Sequence, residues 1–181
     1  MRELSLHILD IVQNSIEAGA HAVEITVRED EDDDLLTIEV ADDGAGIPKD
    51  ILGSVLDPFF TSRKTRKVGL GLPLFREAAR ATGGGLEVES EPGRGTRVRA
   101  TFKLRHIDRA PLGDMAETIA LLVVCNPQVR FKYSHSRGEA AFRFDSSEFE
   151  RELGEVPITS PGVVLYLRDL IRGGLAPVQR A

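Results

Sequence analysis

Apolar residues Ile8, Ile11, Val12 and Ile16 recur at helical spacing, so residues from about 4 to 18 predict an amphipathic helix closed by Gly19. Its opposite face carries His7, Asp10, Asn14 and Glu17, spaced three, four and three residues apart, which aligns them in one polar stripe. The period then changes. Val23, Ile25 and Val27 alternate, as do Leu36, Ile38 and Val40, predicting two strands joined by the acidic run "EDEDDD", expected to be a solvated turn. A glycine-bearing loop, "ADDGAGIPKD", leads to a short helical stretch around 49–56, and a second helix is predicted at roughly 72–82, stopped by "GGG". Two strands follow, "LEVES" and "TRVRATFKL", joined by the tight turn "EPGRG".

Beyond residue 105 the periods continue. Leu112, Met115, Ala116, Ile119, Leu122 and Val123 predict a helix, and "VRFKYS" and "AAFRFD" around "HSRGE" predict a hairpin. Ser147 with Glu150 reads as a capping box. Ser160-Pro161 opens a last helix, with Val163, Tyr166, Leu167, Leu170 and Ile171 expected inward. The order gives a two-layer α+β domain over residues 1–104, with helices on one face of a mixed sheet, and a folded helix-hairpin-helix extension over 105–181.

Charge sharpens that division. Residues 1–104 hold 13 Lys and Arg against 19 Asp and Glu, and residues 105–181 hold 10 against 10, within a net charge of −6. No basic block is long enough to coat a nucleic-acid backbone, so bulk electrostatic binding of DNA or RNA is not expected. The single cysteine, Cys125, forbids a disulfide within the chain and suits a reduced, cytoplasmic setting. No stretch approaches membrane-spanning length, and no membrane partner is expected.

The segment "DPFFTSRKTRKVGLGLPL", residues 57–74, sets four basic side chains between two phenylalanines and a glycine pair. The chain has no G-x-x-x-x-G-K-[ST], which removes a P-loop, and "GLGLPL" neither completes G-x-G-x-x-G nor follows a strand directly. Another kind of nucleotide site is required.

Four stretches read together resemble the GHKL superfamily: gyrase, the heat-shock chaperone ATPase, histidine-kinase catalytic domains and the MutL mismatch-repair ATPases. "DIVQNSIEAGA" is similar to its N box, "DDGAGIP" to its first glycine box, "DPFFTS" to the F box of histidine kinases and "GLGL" to its second glycine box. "GGGLEVESEPGRGTRVRATFKL" is similar to the closing strands of kinase catalytic domains, with Gly95-Thr96 at the third glycine position. The resemblance covers residues 1–104 and implies a Bergerat-type sandwich that binds ATP with Mg²⁺.

The amide oxygen of Asn14 is a hard ligand suited to Mg²⁺, an ion that keeps most of its shell as water and phosphate oxygens. Asp42, acceptor-only when ionised, can take a hydrogen bond from the adenine amino group, whereas guanine offers no donor at that position. The resemblance implies that Gly44 and Gly46 let backbone approach the base, that Ile47 packs on it, and that Thr96 reaches the same pocket. It also implies a lid over residues 61–71, with Arg63 and Lys64 as charge partners of the phosphates. The amides of Leu70, Gly71 and Leu72, following Gly69, lie at a helix start where anions bind well. Glu17, on the N-box stripe, is counted with this nucleotide set. Arg66 and Lys67 are expected in solvent, and Phe59 and Phe60 in packing or at the lid hinge.

Position 10 divides the family. Gyrase-like and MutL-like ATPases carry a glutamate there that prepares the attacking water, and histidine kinases usually a polar residue without a carboxylate. Asp10 is a carboxylate on a shorter arm, able either to act as general base or to orient water around Mg²⁺. "NSIEAGA" is closer to the MutL pattern, and the lid and following strands are closer to kinases. Kinase domains normally follow a helical hairpin with the acceptor histidine; no such hairpin is expected ahead of the first helix, and His7 is fixed on that helix, so an acceptor is expected on another protein. The leading expectation is an ATP-dependent kinase module in bacterial signal transduction. The alternatives are a MutL-like ATP-driven clamp, with a possible homodimer, and a module that holds ATP without turnover.

Overall fold

The computed structural model describes residues 3–57 and 71–181. Elements run in the order α1 (Leu4–Glu17), β1 (Ala22–Asp30), β2 (Leu35–Asp42), α2 (Lys49–Leu52), α3 (Gly71–Arg80), β3 (Gly85–Glu91) and β4 (Gly95–Lys103). The remainder is α4 (Met115–Cys125), β5 (Arg130–Arg137), β6 (Ala140–Asp145), α5 (Ser146–Leu153) and α6 (Pro161–Arg180). The strands form one mixed sheet in the order β3-β4-β2-β1-β5-β6, antiparallel at every pairing except β1 with β5. Thus the hairpin of the 105–181 extension continues the sheet of the first 104 residues, and the α+β two-layer fold expected from the alternation is the fold observed.

The period of two explains the layering. Val23, Ile25 and Val27 on β1, Leu36, Ile38 and Val40 on β2, Val98, Ala100 and Phe102 on β4, and Phe131 and Tyr133 on β5 are buried. Register puts Ile25 beside Val40 and Tyr133, and Val40 beside Val98, so the apolar rows merge into one surface. Helices α1, α3, α4 and α6 close that surface, with Ile8, Ile11, Val12, Phe75, Ile119, Leu167 and Ile171 in the shared core. The opposite face stays polar: Glu39 bridges Arg97 and Arg99 at 2.9 and 2.8 Å. Helix α1 stops as expected, with Gly19 at φ +75°.

Three local expectations are corrected. Helix α5 is capped by Asp145, whose carboxylate accepts the Ser147 amide at 3.0 Å, because the chain turns helical one residue before the Ser147 of the proposed capping box. Tyr166 is 57% exposed, lying beside the buried row and stacked on Phe149 with ring centroids 6.0 Å apart. The acidic run is not merely solvated. Glu31 pairs with Arg137 and Arg105, and the Asp34 carboxylate accepts the Arg105 amide at 2.9 Å, pinning this turn to β5 and to the end of β4.

Candidate functional site

On β2, β3 and β4 the inward-facing row turns polar at the same end of the sheet. Asp42 follows Val40, Ser90 follows Val88 and Thr96 precedes Val98, and the register pairs Ser90 with Thr96 and Val40 with Val98. Asp42 is the hub. Its Oδ1 accepts the amides of Gly44 at 2.9 Å and Thr96 at 3.2 Å, and its Oδ2 accepts the Ser15 hydroxyl at 2.6 Å. A carboxylate offers about four acceptor positions, so three internal donors aim the group while leaving room for one more. That remaining position is what an exocyclic amine would need.

The loop after Asp42 is held by backbone contacts that exclude side chains. Gly46 has φ +71°, and a Cβ there would lie 2.2 Å from the Glu91 carbonyl oxygen. Gly95, at φ +92°, would set a Cβ 1.8 Å from the Asp42 carbonyl oxygen. Ile47, half-buried, donates its amide to Ser90 Oγ at 2.8 Å, and that oxygen lies 2.8 Å from Thr96 Oγ1. Gly93 donates to the Ala45 carbonyl at 2.8 Å and Ala45 to Ala18 at 2.9 Å, so the loop is tied both to the β3–β4 hairpin and to the end of α1. Asp42, Gly44, Gly46, Ile47 and Thr96, expected together, do converge.

Ser15 brings α1 into the cluster. It is buried, and its neighbour Asn14 and the preceding Asp10 are half-buried on the stripe that turns toward α3. Gly71, the first residue of α3, stands against Asp10: a Cβ on Gly71 would be 3.4 Å from the Asp10 Cβ and 3.6 Å from its Oδ2. One helical turn earlier, His7 stacks on Phe75 with centroids 4.9 Å apart, 2% exposed and with no hydrogen-bond partner for Nδ1 among the described residues. Burial lowers its pKa from 6.5 to about 4, which keeps the ring neutral. His7 therefore belongs to packing. Leu72 occupies the first turn of α3 and its side chain packs on the core. Glu17 is exposed and accepts from Gln13 at 3.4 Å. Arg63, Lys64, Gly69 and Leu70, with Phe59, Phe60, Arg66 and Lys67, lie outside the described residues.

A cavity of about 490 Å³ opens beside the loop, its lining including Asp42, Ser90 and Thr96 together with both basic and acidic side chains, Arg94 and Arg97 among the former and Glu89 among the latter. Asp10, Asn14 and Gly71 do not line it, so it meets the cluster only at the Asp42 end. Among the described residues no group of three or more His, Cys, Asp or Glu could cage a metal ion. The Asn14 amide oxygen is the kind of hard donor that could take a Mg²⁺ ion whose other ligands are water and phosphate oxygens.

Two contributors escape a motif reading. Ser15 and Ser90 carry no familiar label, yet each hydroxyl fixes a loop or carboxylate of the site. Ser90 had a signal: it is polar at the inward parity of β3. Ser15 had a weaker one, as a serine on the buried side of an amphipathic helix.

Residues 2–106 match the family model described as histidine kinase-, DNA gyrase B-, and HSP90-like ATPase. The chain is 32% identical over 179 residues to the sensor kinase CckA of Brucella abortus, covering 83% of this chain and 18% of that protein. It is 37% identical over 104 residues to the sensor histidine kinase WalK of Bacillus subtilis, covering 52% of this chain and 17% of that protein. It thus spans less than a fifth of the length of these two relatives. A solved structure, the N-terminal domain of a DNA repair protein, shares the fold with a TM-score of 0.57 at 14% identity, over 80% of this chain and 52% of that one. Among the described residues no helix is long and apolar enough to cross a membrane. With more than half of its length inside the family match, the chain belongs to the histidine kinase-, DNA gyrase B- and HSP90-like ATPases.

Proposed function

We propose that residues 1–104 form a Mg²⁺-dependent ATP site and that the chain passes the γ-phosphoryl group to a separate protein, as an ATP-dependent kinase module of bacterial signal transduction. The observation that carries this reading is the Asp42 carboxylate, aimed by three donors with one acceptor position left, beside the helix that bears Asn14 and Asp10. In this reading Asp42 accepts from the adenine amino group, Gly44 and Gly46 admit the base, and Ile47 and Thr96 flank it. Asn14 holds Mg²⁺, which neutralises phosphate charge. Asp10, on α1 against the first residue of α3, accepts a proton from the attacking group or orders water near the ion. Arg63, Lys64 and the amides from Gly69 to Leu72 take the phosphates, and Glu17 belongs to the same nucleotide-binding set. The kinase relatives support phosphoryl transfer over simple retention of ATP.

A second reading has its own support. The extension shares a sheet with the nucleotide domain through the parallel β1–β5 pairing, so ATP can act by rearranging residues 105–181 or a homodimer contact, as in a clamp. Incubation of the pure protein with γ-labelled ATP and Mg²⁺, with and without extract of the source cells, separates the two. A labelled partner protein supports the kinase; free phosphate with a change of association state supports the clamp. Absence of calorimetric heat and of thermal stabilisation with Mg-ATP overturns both.

A further inference from the structure

Asp42 and Asp43 are adjacent, and they face different tasks. Asp43 does not join the cluster around Asp42. Its Oδ1 accepts the amides of His21 and Ala22, each at 2.8 Å, and so fixes the first residues of β1. These backbone donors, Ala22 first, hold the Asp43 carboxyl below its ordinary range. The His21 carbonyl in turn accepts the Arg130 amide at 2.8 Å, which starts β5. The Arg130 guanidinium forks onto Asp145, with Nε at 3.1 Å and Nη2 at 2.5 Å. Asp145 is the cap of α5 and accepts both the amide and the hydroxyl of Ser147, at 3.0 and 2.6 Å. The Arg130 guanidinium, hydrogen-bonded to it, holds the Asp145 carboxyl far below the usual carboxylate range. A continuous series of hydrogen bonds therefore runs from the loop that flanks Asp42, across the β1–β5 seam, to the N-terminus of α5.

We propose that α5 is a nucleotide-responsive output of the site, coupled to the Asp42 loop through Asp43, His21, Arg130 and Asp145. The proposal rests on the ATP reading above and adds to it where the binding signal goes. An occupant of the Asp42 position restrains the loop, and Asp43 cannot shift without releasing two amides of β1. Arg130 is the point at which the path leaves backbone and becomes a side-chain fork, so it is the joint that a substitution can open. Hydrogen-bonded networks and rigid strands of this kind carry coupling free energy between sites, and the effect is reciprocal.

Hydrogen exchange on the full chain tests this, with and without saturating Mg-ATP. Expected in the native protein is slower exchange at Gly44 and Ala22, and at Ser147 by about fivefold or more, the lower end of ordinary coupling. In Arg130→Ala the protection at Gly44 and Ala22 persists while that at Ser147 is lost, and ATP affinity shifts by the same factor. Arg130→Lys, which keeps charge without the planar fork, restores only part of the effect and guards against a folding defect in the alanine variant. Protection at Gly44 with none at Ser147 in the native protein overturns the coupling and leaves ATP binding standing. Ser147 protection that survives Arg130→Ala overturns it too. No nucleotide effect at any amide overturns the ATP reading and the coupling with it.

Discussion

Two polar clusters close the inward-facing rows of the sheet at opposite ends of β1, and they are built to different rules. At one end stand Asp42, Ser90 and Thr96. At the other, Glu29 follows Val27 and His135 follows Tyr133, with Arg137 paired in register with Glu29. His135, 2% exposed, lies 2.8 Å from Glu29 through Nε2 and 3.1 Å from the Tyr133 hydroxyl through Nδ1. Burial pushes the Tyr133 phenol well above its ordinary range, so it keeps its proton and can donate to Nδ1, leaving Nε2–H for Glu29. The His135 hydrogen bond holds the Glu29 carboxyl below its usual range, and Arg137 also lies 4.0 Å away. Both ring nitrogens of His135 are served from within the chain. Around Asp42 one acceptor position stays open among the described residues. The closed cluster joins the extension to the sheet; the open one is the cluster proposed above to take a ligand.

The comparison is broken most directly at α1. Asn14→Ala is expected to abolish Mg²⁺-dependent ATP binding, with the melting temperature of the ligand-free protein little changed; calorimetry with and without EDTA checks this. Asp10→Asn should retain ATP and slow phosphate release by about 10²–10⁴-fold, the usual yield of a positioned acid or base. Unchanged turnover would remove Asp10 from any catalytic role. Asp42→Asn should weaken ATP binding by about 10–100-fold, the worth of one charge-assisted hydrogen bond, and should also cost about 1–3 kcal/mol of stability, because the Ser15, Gly44 and Thr96 donors lose a charged acceptor.

The next two effects fall on stability. His7 has a pKa of 6.5 when exposed and about 4 in the fold. Between those values the unfolded chain binds a proton that the folded chain does not. Stability is therefore intact above pH 6.5, declines as pH falls through the window and levels off near pH 4, a loss of about 3 kcal/mol. Urea unfolding of the native protein and His7→Phe at several pH values should show that slope only in the former. Glu29→Ala, which strips His135 of its partner, should cost about 1–3 kcal/mol and leave the ATP dissociation constant near native. If instead it weakened ATP binding without loss of stability, the contrast between an open and a closed cluster would be wrong.

Much of this was legible in the chain itself. The four strands of the first 104 residues, helices α1 and α3, and the hairpin of the extension follow from apolar periods of two and of 3.6 residues. The glycine loop follows from positions that tolerate no side chain. Errors arose where a decision depended on one residue of register or on a distant partner. Ser147 lost the cap to Asp145 because both can accept a helix amide and only the last strand residue fixes which one does. Glu31 and Asp34 read as solvated because Arg137 and Arg105 stand more than seventy residues away. Tyr166 read as inward because a helical stripe has a rim, and the neighbouring Phe149 holds its ring there.

The sequence by itself determined the inward rows apart from rim positions such as Tyr166, since side-chain direction follows from local backbone geometry, and it marked Asp42, Thr96, Asp10 and Asn14 as unusual for their faces or motifs. Only the tertiary structure decided which of those polar residues meet. Strand register set Ser90 beside Thr96 and Val40 beside Val98, and helix packing delivered the Ser15 hydroxyl to Asp42. Hydrogen bonds act over about 3 Å, so one slip of register would leave the same composition with every donor aimed at nothing.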